Sequence, residues 1–316
     1  MAMTTTVTTV YDSEVLETLL SQATLGNELV QRGLCHTEFL DGAPKLAIPR
    51  SRAGNMLQAR VEQPTRANAQ GSYEIDELYL EPKDAMVLGD FNPRSFEKFW
   101  RRYQPRGPLL FHELAPEIQS DLLARIAETV DFEVYDVLVN GDSAGSTGTR
   151  LDLFDGLTKR IAANPATIDV PTPVALTGGQ SGNIVTKLEQ MRSLTRLAIR
   201  RSPMLRYLMS PVDHDKYTSH LREQTYKGIE YTEVGPMRYN GIGIEVLSAL
   251  PENTVILTLV GNSLSSNLWL GFDYSRDAEA LQIDKWEKAG ERYFIKMLMK
   301  ADTQVVWGDD VVFYQA

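Results

Sequence analysis

Cysteine is nearly missing from this sequence: Cys35 is the one thiol among 316 residues, which excludes an internal disulfide and a thiolate zinc cluster. Such usage fits a reducing compartment. Histidine is scarce too, at 4 residues, and no H-E-x-x-H metal motif occurs. Long apolar runs are absent. Stretches such as Val255-Ile-Leu-Thr-Leu-Val260 fall far short of the ~18 to 20 residues that cross a bilayer, so no membrane partner is expected. The start, Met1-Ala-Met-Thr-Thr-Thr-Val-Thr-Thr-Val10, has neither a basic nor an apolar signal segment. Positive charge is also in deficit, with 32 Lys and Arg against 42 Asp and Glu and a net −10. That disfavours a surface gripping nucleic acid everywhere.

What is present describes a foldable globular chain. Hydrophobic residues make up 43% and charged residues 23%, the balance of a protein that buries a core. Its length exceeds the roughly 250 to 300 residues at which single cores stop growing, so one large or two smaller cores are expected. The charge falls in blocks: residues 50–106 and 183–227 are net basic, by +2 and +5, while 1–49, 107–182 and 228–316 are net acidic, by −4, −7 and −6. Alternation of this kind is either a solvated mosaic or a set of complementary surfaces that meet when copies assemble.

The periodicities predict an α+β chain without repeats. After a Thr-rich tail, Val15, Leu16, Leu19, Leu20 and Ala23 form a helical stripe that Asp12 or Ser13 caps and Gly26 ends. Residues 51–95 read as a long polar hairpin, with Tyr73 to Leu80 as one arm and about Met56 to Glu62 as the other. Pro116 opens the strongest helix, whose apolar stripe runs to Leu138 before Asn140-Gly141. At about 25 residues this is a rod of roughly 40 Å. A helix from Asn183 to about Arg201 follows the Gly178-Gly179-x-x-Gly182 loop. A strand from Met204 to Met209 leads to a third helix, capped by Ser210 with Pro211 at its first position. Strands are expected over Ile242–Leu247, Thr254–Val260, Leu268–Phe272, Arg292–Ala301 and Val305–Tyr314.

Several motifs suggest chemistry without establishing it. Gly141-Asp-Ser-Ala-Gly145 matches the G-x-S-x-G nucleophile elbow, but a helix precedes Ser143 where the motif requires a strand. Asp213-His214-Asp215 and His220 suggest a metal, yet on a helix the two histidines face different sides. The Gly178 loop offers amides to a phosphate or serves as a hinge, and it lacks the P-loop ending. Cys35 has no clear His or Asn partner for catalysis. Trp100-Arg-Arg-Tyr103, with Arg94, Phe96, Lys98 and Phe99, is either a single-strand nucleic-acid site or one helical face turned into the core, and the second is favoured. No catalytic residue, cofactor or metal ligand is assigned.

The order of parts carries more. A tail, an amphipathic segment, a long hairpin, a spine helix, a helix-strand-helix lobe and a return of strands resembles the major capsid proteins of tailed phages, the Hong Kong 97 phage-like fold. Asn140-Gly-Asp142 with Phe154-Asp-Gly-Leu157 and Ile161 is similar to that family's glycine-rich turn. Leu208-Met-Ser-Pro211 with Tyr217 and Leu221 resembles its axial strand-to-helix turn. Gly241-Ile-x-Ile244 with Leu250-Pro251, and Leu268-Trp-Leu-Gly-Phe272, resemble its later strands.

The resemblance implies an N-terminal arm (1–50), an extended loop (51–95), a peripheral domain (96–175 and 266–300) and an axial domain (176–265 and 301–316). It implies a shell of pentamers and hexamers around double-stranded DNA, located in the virion and assembled in the host cytoplasm. The arm and hairpin would lie on neighbouring copies, through Leu16, Leu19, Leu20, Arg66, Asn68, Tyr73 and Tyr79. Portal, scaffold or decoration proteins would be further partners, and the lack of a large scaffolding region before the arm in this sequence implies either a separate scaffold or a prodomain outside it. Lys83, the one lysine in residues 51–95, sits near the hairpin base, which argues against a loop cross-link. Two alternatives stand beside this reading: an encapsulin nanocompartment of the same fold, and a serine hydrolase at Ser143.

Overall fold

The protein is described as a computed structural model over residues 26–40, 42–54, 56–92, 116–146, 148–223, 238–273, 281–286 and 292–316, with side chains of 116–122 and 281–285 left aside. The elements in chain order are α1 (Glu28–Gln31), β1 (His36–Phe39), β2 (Leu46–Gly54), β3 (Ser72–Leu80), β4 (Lys83–Phe91), α2 (Pro116–Asn140), α3 (Leu157–Ala163), β5 (Ile168–Asp169) and α4 (Ile184–Leu194). Then follow β6 (Leu205–Met209), α5 (Pro211–Glu223), β7 (Arg238–Tyr239), β8 (Ile242–Val246), β9 (Thr254–Leu259), β10 (Leu268–Asp273), β11 (Leu281–Lys285), β12 (Tyr293–Val305) and β13 (Val312–Gln315). The α+β expectation holds.

The spine helix α2 spans the predicted residues, and its end shows why two glycines stand there. A Cβ on Gly141 would lie 2.2 Å from the Phe154 carbonyl oxygen, and one on Gly156 would lie 2.6 Å from the Gly141 nitrogen. The two backbones touch directly, with Gly156 N–H donating to Gly141 O at 2.8 Å. Glycine is required by close approach at both positions.

The strands form three sheets among the described residues. One runs β1-β10-β12-β11, with β4 also paired to β12, and a second runs β5-β13-β9-β6-β8-β7. The third is the two-stranded ribbon β2-β3. In the second sheet alternate residues enter different cores. Leu208, Ile256 and Phe313 face the core that contains Leu138, Ile161 and Phe272. Tyr207, Val255, Leu257, Val312 and Tyr314 face the core of Ile184, Leu188 and Tyr217. Burial on both faces explains why β9 reads as an apolar run without alternation.

Helix α5 starts as its sequence predicts. Ser210 Oγ accepts from the Asp213 N–H at 3.1 Å and donates to Asp213 Oδ2 at 2.8 Å. Asp213 is fully buried and also accepts from the Asn253 N–H and pairs with Lys216 at 3.0 Å.

Four expectations are revised. Helix α4 ends at Leu194 and not near Arg201, because Thr195 Oγ1 donates back to Met191 O while Arg200 Nη2 donates to Ser193 O and Thr195 O. Those side chains satisfy the last carbonyls and release the chain into a turn. Strand β12 continues through Ala301 to Val305, carried by its pairing with β10, and β13 begins only at Val312 after the Gly308–Asp310 turn. The partner of β3 is β2, in the register Ala47 to Tyr79 and Ala53 to Tyr73, while Met56 to Glu62 forms no strand. Strands β1, β4 and β11 were not expected at all.

Residues 27–40, inside the expected arm, are built into the body. Leu29, Leu34, Cys35 and Leu40 are buried, and β1 pairs in parallel with β10. Glu28 Oε2 accepts from Tyr135 Oη of α2 and from the Ser248 N–H, both at 2.9 Å. The stripe of Leu16, Leu19 and Leu20, and the aromatic-basic segment at Phe96 to Tyr103, lie outside the described residues.

Candidate assembly surface

Ribbon β2-β3 presents two faces that differ by the period of the strand. Leu46, Ile48, Arg50 and Arg52 point to the body, opposite Leu80, Leu78, Asp76 and Glu74. At the base, Ile48 and Leu80 pack with Trp269 and Val306 in a small apolar cluster. The outer face pairs small residues with large ones: Ala47 with Tyr79, Ser51 with Ile75, Ala53 with Tyr73. Short partners cannot shade their neighbours, so Tyr73, Ile75 and Tyr79 stay 59%, 71% and 46% exposed. Pro49 removes one ladder donor, which an edge strand tolerates. A turn over Arg66–Asn68 stands in the connection beyond the ribbon, where Leu57 is 96% exposed.

Of the contact residues expected from sequence, Tyr73 and Tyr79 therefore share one face. Arg66 and Asn68 stand in that connection, where Asn68 Nδ2 donates to Gln63 O at 3.4 Å. Polar bonds fix the face further. Tyr79 Oη donates to Glu77 Oε2 at 2.9 Å, which pushes the phenol above its ordinary range, and Lys45 lies 5.8 Å from the Tyr79 ring centre. Arg50 holds the Asp76 carboxyl below the usual carboxylate range. Ile75 stands on the same outer face as the two tyrosines, whereas Arg50 and Arg52 face the body. The two-residue period of the Tyr73–Leu80 arm places Ile75 with the tyrosines, and the inward face of the two arginines is set by the pairing of β2 with β3.

Ser143, His220 and the Gly178 loop are engaged in hydrogen bonds within the chain. Ser143 Oγ donates to Asp155 Oδ1 at 2.7 Å and its N–H donates to the same oxygen at 2.9 Å, tying a turn after a helix. Burial opposes ionisation of Asp155, but these two bonds and nearby Arg160 and Lys159 leave its carboxyl below the usual range. Burial pushes the Cys35 thiol far up, away from thiolate chemistry. His220 Nδ1 lies 2.6 Å from Gly179 O, and no cluster of three metal-ligating side chains occurs among the described residues. At the Gly178 loop the Gln180 N–H donates to Glu223 Oε2, so a carboxylate already occupies the place an anion would take. No described helix is long and apolar enough to cross a membrane.

No family model and no curated relative matches the sequence. Solved structures do. The procapsid of satellite phage P4 with its size-determination protein matches at TM-score 0.56 and 11% identity, over 95% of this chain and 98% of that one. The capsid of an empty GTA particle matches at TM-score 0.56 and 13% identity, over 100% and 94%. The holo-SrpI encapsulin complex from Synechococcus elongatus matches at TM-score 0.50 and 11% identity, over 99% and 91%. With such coverage on both sides and two cores divided by a shared sheet, the chain has the Hong Kong 97 phage-like fold found in capsid shells.

Proposed function

We propose that this protein is a major capsid protein, whose copies assemble as pentamers and hexamers into an icosahedral shell around the double-stranded DNA of a tailed phage. The observation that carries the reading is the uncovered face of β2-β3 on a fold shared with shell proteins. A two-stranded ribbon is marginal in water on its own, and a row of large exposed apolar side chains marks a surface made to be covered. Tyr73, Ile75 and Tyr79 would lie on an adjacent copy, with Arg66 and Asn68 beyond them. Leu16, Leu19 and Leu20 would supply a second contact. Many modest contacts, engaged jointly, hold a closed shell.

In this reading residues 1–26 act as the arm, and the ribbon and its connection as the extended loop. The peripheral and axial domains form around the first and second sheets. The net −10 lets packed DNA be contained without being gripped. The shell belongs to the virion, is assembled in the host cytoplasm, and has a portal and a scaffold or decoration protein as further partners. Its role is structural, without turnover.

An encapsulin among the matched structures keeps the nanocompartment as the second reading. Genes for terminase and portal beside this one would favour the phage shell, and a ferritin-like or peroxidase gene the compartment. Negative-stain microscopy of the purified protein tests both. Uniform icosahedral particles are expected, and a small oligomer of fixed size across salt conditions would overturn the shell. Ser143→Ala is expected to change no ester hydrolysis, and loss of such activity at unchanged folding would revive the hydrolase.

A further inference from the structure

From the end of α4 to the start of β6, residues 192–206 hold five arginines and neither Asp nor Glu. Arg196 alone among them is closely engaged by carboxylates, at 3.1 Å from Asp309 and 2.6 Å from Asp310. Arg206 comes no nearer than 3.9 Å to Glu245, which Arg32 approaches at the same distance. Arg200 donates to the carbonyls of Ser193 and Thr195, and the Nε atoms of Arg192 and Arg200 are buried without a hydrogen-bond partner. Arg201 is exposed, with no carboxylate paired to it among the described residues. Amid these cations Leu197 is 80% exposed, beside exposed Ala198. Guanidinium forks suit carboxylates and phosphates alike, but an exposed leucine among them offers nothing to a phosphate backbone. The partner such a surface fits is acidic and apolar at once.

The chain itself contains a segment of that chemistry. Residues 1–26 carry Asp12, Glu14 and Glu17 and no Lys or Arg. On the helix predicted there, Leu16, Leu19 and Leu20 form the apolar stripe, Asp12 precedes it and Glu17 borders it. A helix of about twelve residues is marginal alone in water, so its stripe needs a surface. The point where this segment joins the body lies at the arginine run. Asn27 leads into α1, whose C-cap residue Arg32 approaches the same Glu245 as Arg206. Just beyond, the Gly261 N–H donates to Leu34 O while the Val260 N–H donates to Met204 O. Twelve helical residues span about 18 Å and three linking residues about 10 Å, which is reach enough for residues next to Arg206.

We propose that residues 192–206 are a seat for the chain's own N-terminal segment: in the unassembled subunit residues 12–23 lie on it, with Asp12 and Glu17 toward the guanidinium groups and the leucine stripe against Leu197. The seat is shallow. Exposed charge pairs favour the seated form by about three- to tenfold, too little to move a urea midpoint far. Within the proposed shell the stripe must leave this seat before it lies on an adjacent copy, so self-docking holds assembly back. The docking itself concerns one chain and stands whether or not shells form.

The test uses the full chain with Val15→Cys carrying a benzophenone maleimide, on the border of the stripe away from Glu17; buried Cys35 stays unlabelled. Light and isotopically heavy protein are mixed, the subunit fraction is irradiated, and the adducts are mapped by mass spectrometry. Adducts within residues 192–206 that join light to light and heavy to heavy are expected. Leu197→Ser, Arg201→Glu or molar salt should each cut their yield by about half, and adding Glu17→Arg to Arg201→Glu should restore it. Both body substitutions stand at exposed positions, so folding is not at stake. Light-to-heavy pairs, or a yield indifferent to salt and to Arg201→Glu, would overturn the seat. So would adducts outside 192–206 together with a short DNA duplex that the parent binds and Arg201→Glu does not, because phosphate would then be the ligand of these arginines.

Discussion

Truncating the chain from its N-terminus should leave folding intact up to residue 26 and destroy it soon afterwards. Every described contact of the N-terminal region lies at or beyond Asn27, whose side chain accepts from the Val30 N–H at 3.1 Å. Beyond it Leu29, Leu34 and Leu40 are 0%, 4% and 4% exposed. Burying a leucine stabilises by about 1.5–3 kcal/mol, so losing all three removes roughly 5–9 kcal/mol, somewhat less if the unfolded chain is compact. That is comparable with the entire stability of a typical protein, about 5–15 kcal/mol. The pairing of β1 with β10 and the Glu28 bonds to Tyr135 and Ser248 are lost with them. A chain starting at Asn27 should therefore match the full chain in urea midpoint. One starting after Leu40 should show no cooperative transition, and Leu29→Ala should lose about 2–5 kcal/mol. If the chain lacking residues 1–40 unfolds at the full-length midpoint, the assignment of this segment to the core is refuted. The same comparison separates assembly from folding, since only the shorter deletion asks whether residues 1–26 serve contacts between copies.

Other expectations follow from single sites. Asp131 of α2 has one buried oxygen without a hydrogen-bond partner, and burial pushes its carboxyl up to about 6; a raised native value costs stability as pH climbs from the ordinary carboxylate range to that value. Asp131→Asn should thus raise the thermal midpoint near neutral pH and give little change near pH ~4. Arg160→Ala strands Asp302, which is 1% exposed and otherwise accepts from Arg160 at 2.9 Å and from the Glu81 N–H at 2.8 Å; denaturant titration should show a loss of about 3–5 kcal/mol. Tyr73→Ser with Ile75→Ser should change subunit stability by no more than about 0.5 kcal/mol yet suppress particles in sedimentation velocity, and undiminished particle yield would remove these residues from the contact. Gly141→Ala should fail to give soluble protein or melt well below the parent, because its Cβ would overlap the Phe154 carbonyl.

The parts of this fold legible in the sequence were those set by local rules. Pro116 and the Asn140-Gly141 end bracketed the spine helix, and Ser210, Pro211 and Asp213 marked α5, because caps act within one turn. Misreadings came where distant partners decide. Nothing near Leu46 announces that it faces Leu80, and the nearer candidate Met56 to Glu62 won by proximity. Strand β12 outran its alternation because β10 supplies partners for residues 300–305. The stretch 196–201 has a helical composition, but Arg200 folds back from it to cap the carbonyls of Ser193 and Thr195 and ends the helix early. At the surface the tyrosines were readable from alternation, whereas Arg50 and Arg52 needed the register before their face was known.

The sheet that divides the two cores has a mechanical consequence. Ile256 and Leu257 are neighbours in β9, yet they support opposite interiors. Neither half can melt without stripping one wall from the other, so the two halves should behave in calorimetry as one cooperative unit with a single transition. A lobe pulled at its rim would pass the load through this shared wall. In the proposed shell, that would make each copy stiff across its middle and leave its edges as the places where shape can change.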